Sequence, residues 1–284
     1  MSRAHILLAM VASAALCLAP SARAQENYFV TYSHHMEEPG NLEIENQSVI
    51  GDPRGGNAFL ANATELEYGA KGWWTTELYL DSQWTQHESS IFTGFKWENR
   101  FRPLAAEHWI NPVLYVEFED TSADKTMLEV VGHDGIGDLA DRNDRSQRER
   151  EIETKLILSS NHAGWNFSEN LVAEKNLAAE PWEFGYAFGL SRPLSTRASA
   201  SACTFCRENV DLGAEIYGGL GDASRLGLQD TSHYIAPVMS LRAPAGATFK
   251  VSPGFGLNDH SQGFILRVGV SYEITQIVSK LRGQ

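Results

Sequence analysis

The sequence lacks a long run of apolar residues beyond its amino terminus, and this absence excludes a large class of membrane protein. A transmembrane helix needs about 20 consecutive apolar residues. The apolar stretch from Ile6 to Leu18 is shorter than that, and no later stretch of the chain reaches the required length without charge. The sequence therefore does not encode a helical membrane protein.

The same stretch has the features of an export signal. Arg3 precedes it, and Ala22-Arg23-Ala24 has the small residues that a signal peptidase cuts after. We expect residues 1–24 to be a cleaved signal peptide and Gln25 to begin the mature chain.

Basic residues are scarce. The chain has 23 Lys and Arg against 36 Asp and Glu, a formal net charge of −13, and the signal peptide removes two arginines but no acid. Nucleic acid is bound chiefly through basic side chains, so the sequence predicts no nucleic-acid partner.

Cysteine is also rare, with three residues in the chain. Cys17 leaves with the signal peptide, while Cys203 and Cys206 form a C-x-x-C pair. No histidine or further cysteine lies beside the pair to complete a tetrahedral zinc site, and no thioredoxin-like βαβ pattern surrounds it. For an exported chain the pattern predicts a local disulfide, and we expect no metal and no cofactor.

What the sequence does have is a period of two residues. In residues 182–190 one parity is apolar and the other is small or charged, which is the period of a β-strand. The first parity comprises Trp182, Phe184, Tyr186, Phe188 and Leu190, and the second comprises Glu183, Gly185, Ala187 and Gly189.

Two all-β architectures show this alternation: a soluble sandwich with an apolar centre, and a transmembrane barrel with an apolar outside. Charged residues recur on one parity of nearly every strand, as in a polar lumen. Aromatic residues stand near the ends of the apolar rows, where membrane interfaces hold them, and strand lengths are close to the roughly 9 to 11 residues that cross a bilayer. Together these features favour an antiparallel transmembrane barrel over residues 25–273. The aromatic residues concerned are Trp74, Trp84, Phe118, Trp182 and Tyr272.

The periodicity predicts twelve strands. An even count lets both chain ends lie on one side, which is the periplasm in bacterial barrels. Short connections at 69–72, 160–163 and 243–246 fall on that side, whereas 192–207 is a long exception. The predicted strands are 27–48 (with a break at Glu38-Pro39-Gly40), 60–69, 72–85, 90–102, 109–120, 150–159, 163–174, 181–191, 208–218, 232–242, 247–257 and 263–273.

The charged parity would line the lumen, and two outcomes are open. The charges either pair across the barrel and seal it, or they line a narrow acidic path that favours cations and neutral polar solutes. Glycines of the luminal parity, such as Gly185 and Gly189, either leave space in the lumen or relieve crowding. The predicted pore lining is Glu77, Asp81, Lys96, Glu98, Arg100, Arg102, Glu117, Glu119, Glu153, Lys155, Glu183 and Arg267.

Two loops invite other hypotheses. The predicted outer loop 120–149 carries several aspartates whose spacing matches no regular calcium loop, so it is interpreted as a solvated or inward-folding lid. His260-Ser261 is compatible with an outer-membrane lipid hydrolase, but no G-x-S-x-G motif accompanies it and turn residues explain the stretch. We therefore expect no enzyme, with the hydrolase as the remaining alternative.

The runs 182–191 and 217–222 combine glycines with aromatic residues, and Arg267-Val268-Gly269-Val270-Ser271-Tyr272 closes the last strand. In these runs the chain resembles the bacterial outer-membrane barrels grouped with the meta-pathway phenol-degradation proteins. The resemblance implies an outer-membrane channel or transporter and transfers no residue-level site. After Tyr272, the tail 274–284 has apolar residues at helical spacing and is expected to form a short helix or partial plug.

Taken together, the sequence predicts an outer-membrane barrel that acts as a narrow passive, porin-like channel. Its expected partners are outer-membrane lipid and small solutes, and its oligomeric state is open. A sealed structural barrel is the alternative.

Overall fold

The chain forms a closed antiparallel barrel of twelve strands. The structure is a computed structural model and describes residues 26–52, 56–122, 147–178, 181–199, 203, 205–243 and 246–281. The predicted fold class and strand count are confirmed. The strands are β1 (Leu42–Gly51), β2 (Phe59–Lys71), β3 (Trp74–Thr85), β4 (Ser89–Phe101), β5 (Asn111–Ser122), β6 (Arg148–His162), β7 (Trp165–Asn176), β8 (Trp182–Pro193), β9 (Val210–Asp222), β10 (His233–Arg242), β11 (Ala247–Gly256) and β12 (Phe264–Ile274).

The barrel closes between its first and last strands. β1 pairs with β12 from Leu42 opposite Ile274 to Gly51 opposite Ile265, and every other strand pairs with its neighbours along the chain. Closure leaves no open sheet edge, which is the condition for a sheet that crosses a lipid bilayer.

Two prolines interrupt one ladder. The pairing of β10 with β11 stops after Ile235 and resumes at Met239, and Pro237 and Pro253 lie in the gap. Neither proline has an N–H to donate. The hydroxyl of Ser252 instead donates to the carbonyl oxygen of Pro237 at 2.9 Å, so the wall stays hydrogen-bonded there.

The alternation in the sequence separates the two faces of the wall. In β3, Glu77, Tyr79 and Asp81 are buried toward the lumen, whereas Leu78 and Leu80 are exposed on the outside. The other strands follow this pattern, with acids and hydroxyls inside and large apolar residues outside. A soluble sandwich would have the opposite arrangement, so that alternative is rejected. The outer wall is a surface suited to lipid.

Aromatic residues mark both rims of the apolar wall. At the rim where β1 begins and β12 ends, Trp73, Trp109 and Trp165 are exposed or half-buried, and at the opposite rim Trp84 and Phe264 are exposed. Such rings settle at membrane–water interfaces. No helix in the described part of the chain is long and apolar enough to cross a membrane.

The first predicted strand is wrong at its beginning. The sequence predicts a strand over 27–48, but β1 begins at Leu42, and residues 26–41 fold back into the lumen as an extended N-terminal segment. The reversal is at Gly40, whose φ of 88° suits glycine. Gly40 N–H donates to the Gly69 carbonyl oxygen at 2.7 Å. A Cβ on Gly69 would lie 2.1 Å from the Glu38 carbonyl oxygen, so only glycine allows this close passage.

A second departure lies in β4. The alternation places Thr93 on the outer face, yet Thr93 is buried. Asp81 of β3 pairs with Gly94 of β4, but the next residue, Ser82, pairs with Phe92. The register therefore skips Thr93. The extra residue reverses the parity on one side of the irregularity, as a β-bulge does.

Short elements lie at the rim where β1 begins and β12 ends. A short helix, α1 (Ile277–Leu281), follows β12, and Ile277 N–H donates to the Gly40 carbonyl oxygen at 2.9 Å. In the connection from β8 to β9, Cys203 and Cys206 are joined by a disulfide. The expected signal peptide and residues 123–146 of the predicted outer loop lie outside the described residues.

Candidate functional site: the lumen and its N-terminal segment

One wall carboxylate contacts three consecutive residues of the N-terminal segment in the lumen. Glu215 on β9 is 1% exposed and accepts hydrogen bonds from three consecutive backbone N–H groups of the segment. The donor–acceptor distances are 3.2 Å from Phe29, 2.9 Å from Val30 and 2.7 Å from Thr31. These three N–H groups have no strand partner, so the acid replaces a sheet ladder.

Amides on β7 extend this attachment. Tyr32 N–H donates to Asn170 Oδ1 at 2.6 Å, and Asn170 Nδ2 donates back to the Tyr32 carbonyl oxygen at 2.8 Å. The Tyr28 hydroxyl donates to Asn166 Oδ1 at 2.8 Å. The segment therefore has both backbone and side-chain partners on the wall, as buried polar groups require.

Apolar contacts also hold the N-terminal segment against the wall. Val30 packs against a buried luminal cluster that includes Val172 and Tyr217, and Tyr32 packs edge-on against Tyr115. Gly189 makes room for Tyr28, because a Cβ there would lie 2.8 Å from two atoms of the tyrosine ring. The sequence leaves open whether the luminal glycines leave space or relieve crowding. At Gly189 the missing side chain leaves space, and Tyr28 of the segment fills it.

An ion network surrounds Arg100 beside the segment. Arg100 pairs with Glu67 at 2.5 Å, with Glu98 at 3.0 Å and with Glu77. The Tyr79 hydroxyl lies 2.6 Å from a Glu77 carboxylate oxygen and 2.7 Å from a Glu98 oxygen. One arginine and one hydroxyl thus contact three acids that come from three neighbouring strands.

A cavity of about 120 Å³ lies in the lumen next to the segment. Lys96 pairs with Glu119 at 3.1 Å and Lys155 with Glu153 at 2.7 Å along its wall. Its volume is enough for a few water molecules. The lining residues are Phe29, Val30, Tyr32, Gln47, Ala63, Glu65, Tyr79, Asp81, Lys96, Tyr115, Glu117, Glu119, Glu153, Lys155, Glu174 and Arg267.

The predicted pore-lining residues fall into three positions. Glu77, Glu98 and Arg100 belong to the network beside the segment. Arg102 lies just past the end of β4 and pairs with Glu107 at 3.3 Å. Glu183 is half-buried near the beginning of β8, toward the opposite rim. The members that line the cavity are Asp81, Lys96, Glu117, Glu119, Glu153, Lys155 and Arg267.

Sequence reasoning did not place the N-terminal segment inside the lumen. Val30 and Tyr32 alternate with Thr31 and Ser33 as in a wall strand, although Phe29 breaks the pattern, so the stretch was predicted as part of the first strand. The useful signal was the break at residues 38–40, because a proline followed by glycine ends a strand.

Three acids form a separate cluster at the base of the segment. Glu37 on the segment, Glu43 on β1 and Glu67 on β2 each place a carboxylate oxygen within 4.8 Å of the others. Glu37 is 3% exposed. Burial, with the nearby charges of Glu43 and Glu273, raises the pKa of Glu37 to about 8.

The serine and histidine that the hydrolase alternative would use do not form a catalytic pair. The Ser261 hydroxyl donates to the His233 carbonyl oxygen, and His260 lies 3.5 Å from Asp230. Ser261 Oγ also lies 2.6 Å from Asn258 Oδ1 and accepts a hydrogen bond from the His233 backbone N–H at 2.8 Å. These contacts hold a turn.

Another serine does contact a histidine. Ser159 Oγ lies 2.8 Å from His34 Nδ1, and His34 Nε2 lies 3.0 Å from Glu107. The same hydroxyl is contacted by Asn166 and Ser168 and is 1% exposed. A nucleophile must reach its substrate, so this enclosed group is an anchor for the segment.

No protein-family model and no curated protein matches the sequence. Among solved structures, the chain is similar to the KdgM porin, with a TM-score of 0.52 and 9% identity over 81% of this chain and 98% of that chain. The KdgM porin in complex with disordered oligogalacturonate gives the same TM-score and coverage at 11% identity. The COG4313 outer membrane channel from Pseudomonas putida F1 gives a TM-score of 0.48 and 11% identity, over 90% of this chain and all of that chain. At these identities the similarity to KdgM establishes a shared barrel fold.

Proposed function

We propose that this protein is a narrow passive channel of the outer membrane for small cations and neutral polar solutes. The observation that carries the proposal is a closed, lipid-suited wall around a charged lumen that holds a water-sized cavity. Burying the ionisable groups of a lumen is costly unless water or opposite charges reach them. The N-terminal segment narrows this lumen.

Charge composition supports the choice of solute. The acids around the cavity outnumber the bases, with Glu65, Asp81 and Glu174 adding to the acids already paired with lysines. Rings of acids favour cations in channels. Oligogalacturonate, bound in the KdgM complex, is a polyanion, so we infer a different solute class here.

The location and partners follow from the same features. The fold that the chain shares with KdgM, together with the signal peptide expected from the sequence, supports the outer membrane, with lipid around the wall and both chain ends in the periplasm. The resemblance to the meta-pathway phenol-degradation barrels agrees with a transport role but does not identify a solute.

A sealed structural barrel is the second candidate, and one observation favours it. The luminal charges near the segment are paired at short distances, and the segment fills the space beside them. In that case no current would pass. The lipid-hydrolase alternative receives no support from the geometry of the serines described above.

Single-channel recording in planar bilayers separates the candidates. We expect purified wild-type protein to give a small conductance in KCl, and a variant lacking residues 26–36 to give a conductance several-fold larger. Folding of both is checked by the heat-dependent mobility shift typical of barrels on gels. Absence of current from both folded proteins would establish the sealed barrel and reject the channel.

A further inference from the structure

The outer face of β1, β2 and β3 carries a group of uncharged polar side chains, which we call the polar patch. Its members are Asn46, Ser48, Asn62, Thr64 and Ser82, of which Asn46 is exposed and the others are half-buried. Asn62 lies opposite Ser48 on β1 and opposite Ser82 on β3. In the adjoining row Asn46 lies opposite Thr64. The registers therefore make the patch continuous across three strands.

The polar patch lies inside the apolar band of the wall and not at its edge. The next row toward one rim consists of Ile50, Leu60 and the exposed ring of Trp84. The next row toward the other rim includes Ile44 and its partner on β12, Tyr272. Because such aromatic rings mark membrane interfaces, the patch between them faces hydrocarbon, where no water is present to form hydrogen bonds.

The two asparagines of the patch bind each other. Asn46 Nδ2 donates to Asn62 Oδ1 at 3.1 Å, and Asn62 Nδ2 donates to Asn46 Oδ1 at 2.9 Å. The same two amide groups donate to the hydroxyls, from Asn46 to Thr64 at 3.1 Å and from Asn62 to Ser48 at 3.0 Å. The amide donors of the patch are thus used within it.

The hydroxyl donors of the patch are not used. Ser48 and Thr64 accept these hydrogen bonds, but neither hydroxyl donates to a described residue, and the Ser82 hydroxyl has no hydrogen bond with any residue that the structure describes. Two other outward threonines differ, because the hydroxyls of Thr76 and Thr154 donate to backbone carbonyl oxygens of the next strand. A donor left unpaired in hydrocarbon is costly, so the patch needs a partner that accepts hydrogen bonds.

The patch itself has the acceptors that its hydroxyls lack. The side-chain oxygens of Asn46 and Asn62 each accept one hydrogen bond within the patch, and a carbonyl oxygen has two lone pairs. A surface with both spare donors and spare acceptors is complementary to a second copy of itself across a two-fold axis, whereas acyl chains supply neither group. None of its side chains is ionisable, so two copies of this acidic protein meet there without repulsion between like charges in the patch.

We propose that β1, β2 and β3 form the interface of a homodimer in the membrane, in which the polar patches of two copies hydrogen-bond across a two-fold axis. Polar side chains connect transmembrane segments of other membrane proteins in the same way. The apolar residues around the patch complete the contact. Each barrel keeps its own lumen, so the dimer does not depend on the proposed channel function.

Disulfide cross-linking in membranes tests the interface directly. Cys203 and Cys206 are already joined, so a cysteine introduced into the wall supplies the free thiol. We expect oxidised membranes that contain Asn46→Cys to give a cross-linked product of twice the monomer mass. Leu171→Cys is the control, because Leu171 is exposed on the outer face of β7, outside the proposed interface, and should give none. Absence of the Asn46→Cys dimer, equal cross-linking of the control, or a cross-link from Asn46→Cys to a different protein would overturn the proposal.

The mass of the purified full-length protein gives a second test. By native mass spectrometry in mild detergent, we expect the wild type to be mainly dimeric and Asn46→Leu/Asn62→Leu to dimerise at least tenfold more weakly, because both spare acceptors are removed. These changes place apolar side chains against lipid, and the heat-dependent mobility shift on gels checks that the barrel is folded. Thr154→Leu, on the outer face of β6, is the matched control and should stay dimeric. A monomeric wild type, or equal dimerisation of wild type and double variant, would contradict the proposed interface. Neither test requires conduction, so failure of the channel and failure of the dimer are distinguishable.

Discussion

Glu215 shows how one side chain can hold three consecutive residues of a segment. Its carboxylate accepts three adjacent N–H groups that belong to no strand, at 2.7 to 3.2 Å. Hydrogen bonds to a charged group contribute about 1.5 to 3 kcal/mol each. The acid is on the wall and the donors are on the segment, so its effect is on docking of the segment and not on closure of the barrel.

We expect Glu215→Ala to release the N-terminal segment without unfolding the barrel. The substitution removes the acceptor of three N–H groups, and hydrogen bonds to a charged group contribute about 1.5 to 3 kcal/mol each, so the docked state should lose more than a hundredfold in population. Single-channel conductance should rise toward that of the variant lacking residues 26–36. Glu169→Gln, on the outer face, should behave as the wild type, and an unchanged current in Glu215→Ala would show that this acid does not hold the segment.

Gly189 tests the same docking by steric means. We expect Gly189→Val to displace Tyr28, because even the first added carbon would lie 2.8 Å from two ring atoms. Conductance should increase, and tyrosine fluorescence should change as Tyr28 enters water. Gly263→Ala is the control, since a Cβ there has open space around it. A Gly189→Val channel with wild-type conductance would mean that the ring is not fixed against β8.

At the scale of elements, the strands of the wall were predictable and the segment was not. A wall strand has lipid on one side and the lumen on the other, so alternation records its two environments directly. Part of the segment also alternates, because Val30 and Tyr32 pack on apolar luminal residues while Thr31 and Ser33 stand on the other parity. Local sequence cannot distinguish these cases. The pairing of β1 with β12 distinguishes a wall strand from the segment, because it begins only at Leu42.

Hydrogen exchange distinguishes a docked segment from a loose one. We expect the amides of residues 29–32 to exchange at least tenfold more slowly than those of the loop at 224–230, although none of them lies in a strand. Their protection comes from Glu215 and Asn170, so Glu215→Ala should abolish it at residues 29–31. Mass spectrometry of peptides gives the comparison within one sample. Equal exchange of the two peptides would show that the segment is not seated in solution.

At the scale of the whole molecule, function depends on which charges meet across the lumen. The sequence predicts which residues point inward, since parity determines the face. It does not predict that Arg100 collects acids from β2, β3 and β4, nor that Glu37 joins β1 and β2, because those contacts depend on closure and on the folded-in segment. The sequence therefore predicted inward-facing residues but not the ion pairs that they form.

The remaining excess of acid around the cavity predicts cation selectivity. With a tenfold KCl gradient across a bilayer, the reversal potential of the wild type should have the sign of a potassium-selective channel. Lys96→Gln removes the partner of Glu119 and should increase that selectivity, whereas Asp81→Asn should reduce it. Because surface potentials are screened within about 8 Å at physiological salt, the effect should weaken as KCl is raised. An anion-selective reversal potential would contradict the proposed acidic path, and with it the class of solute.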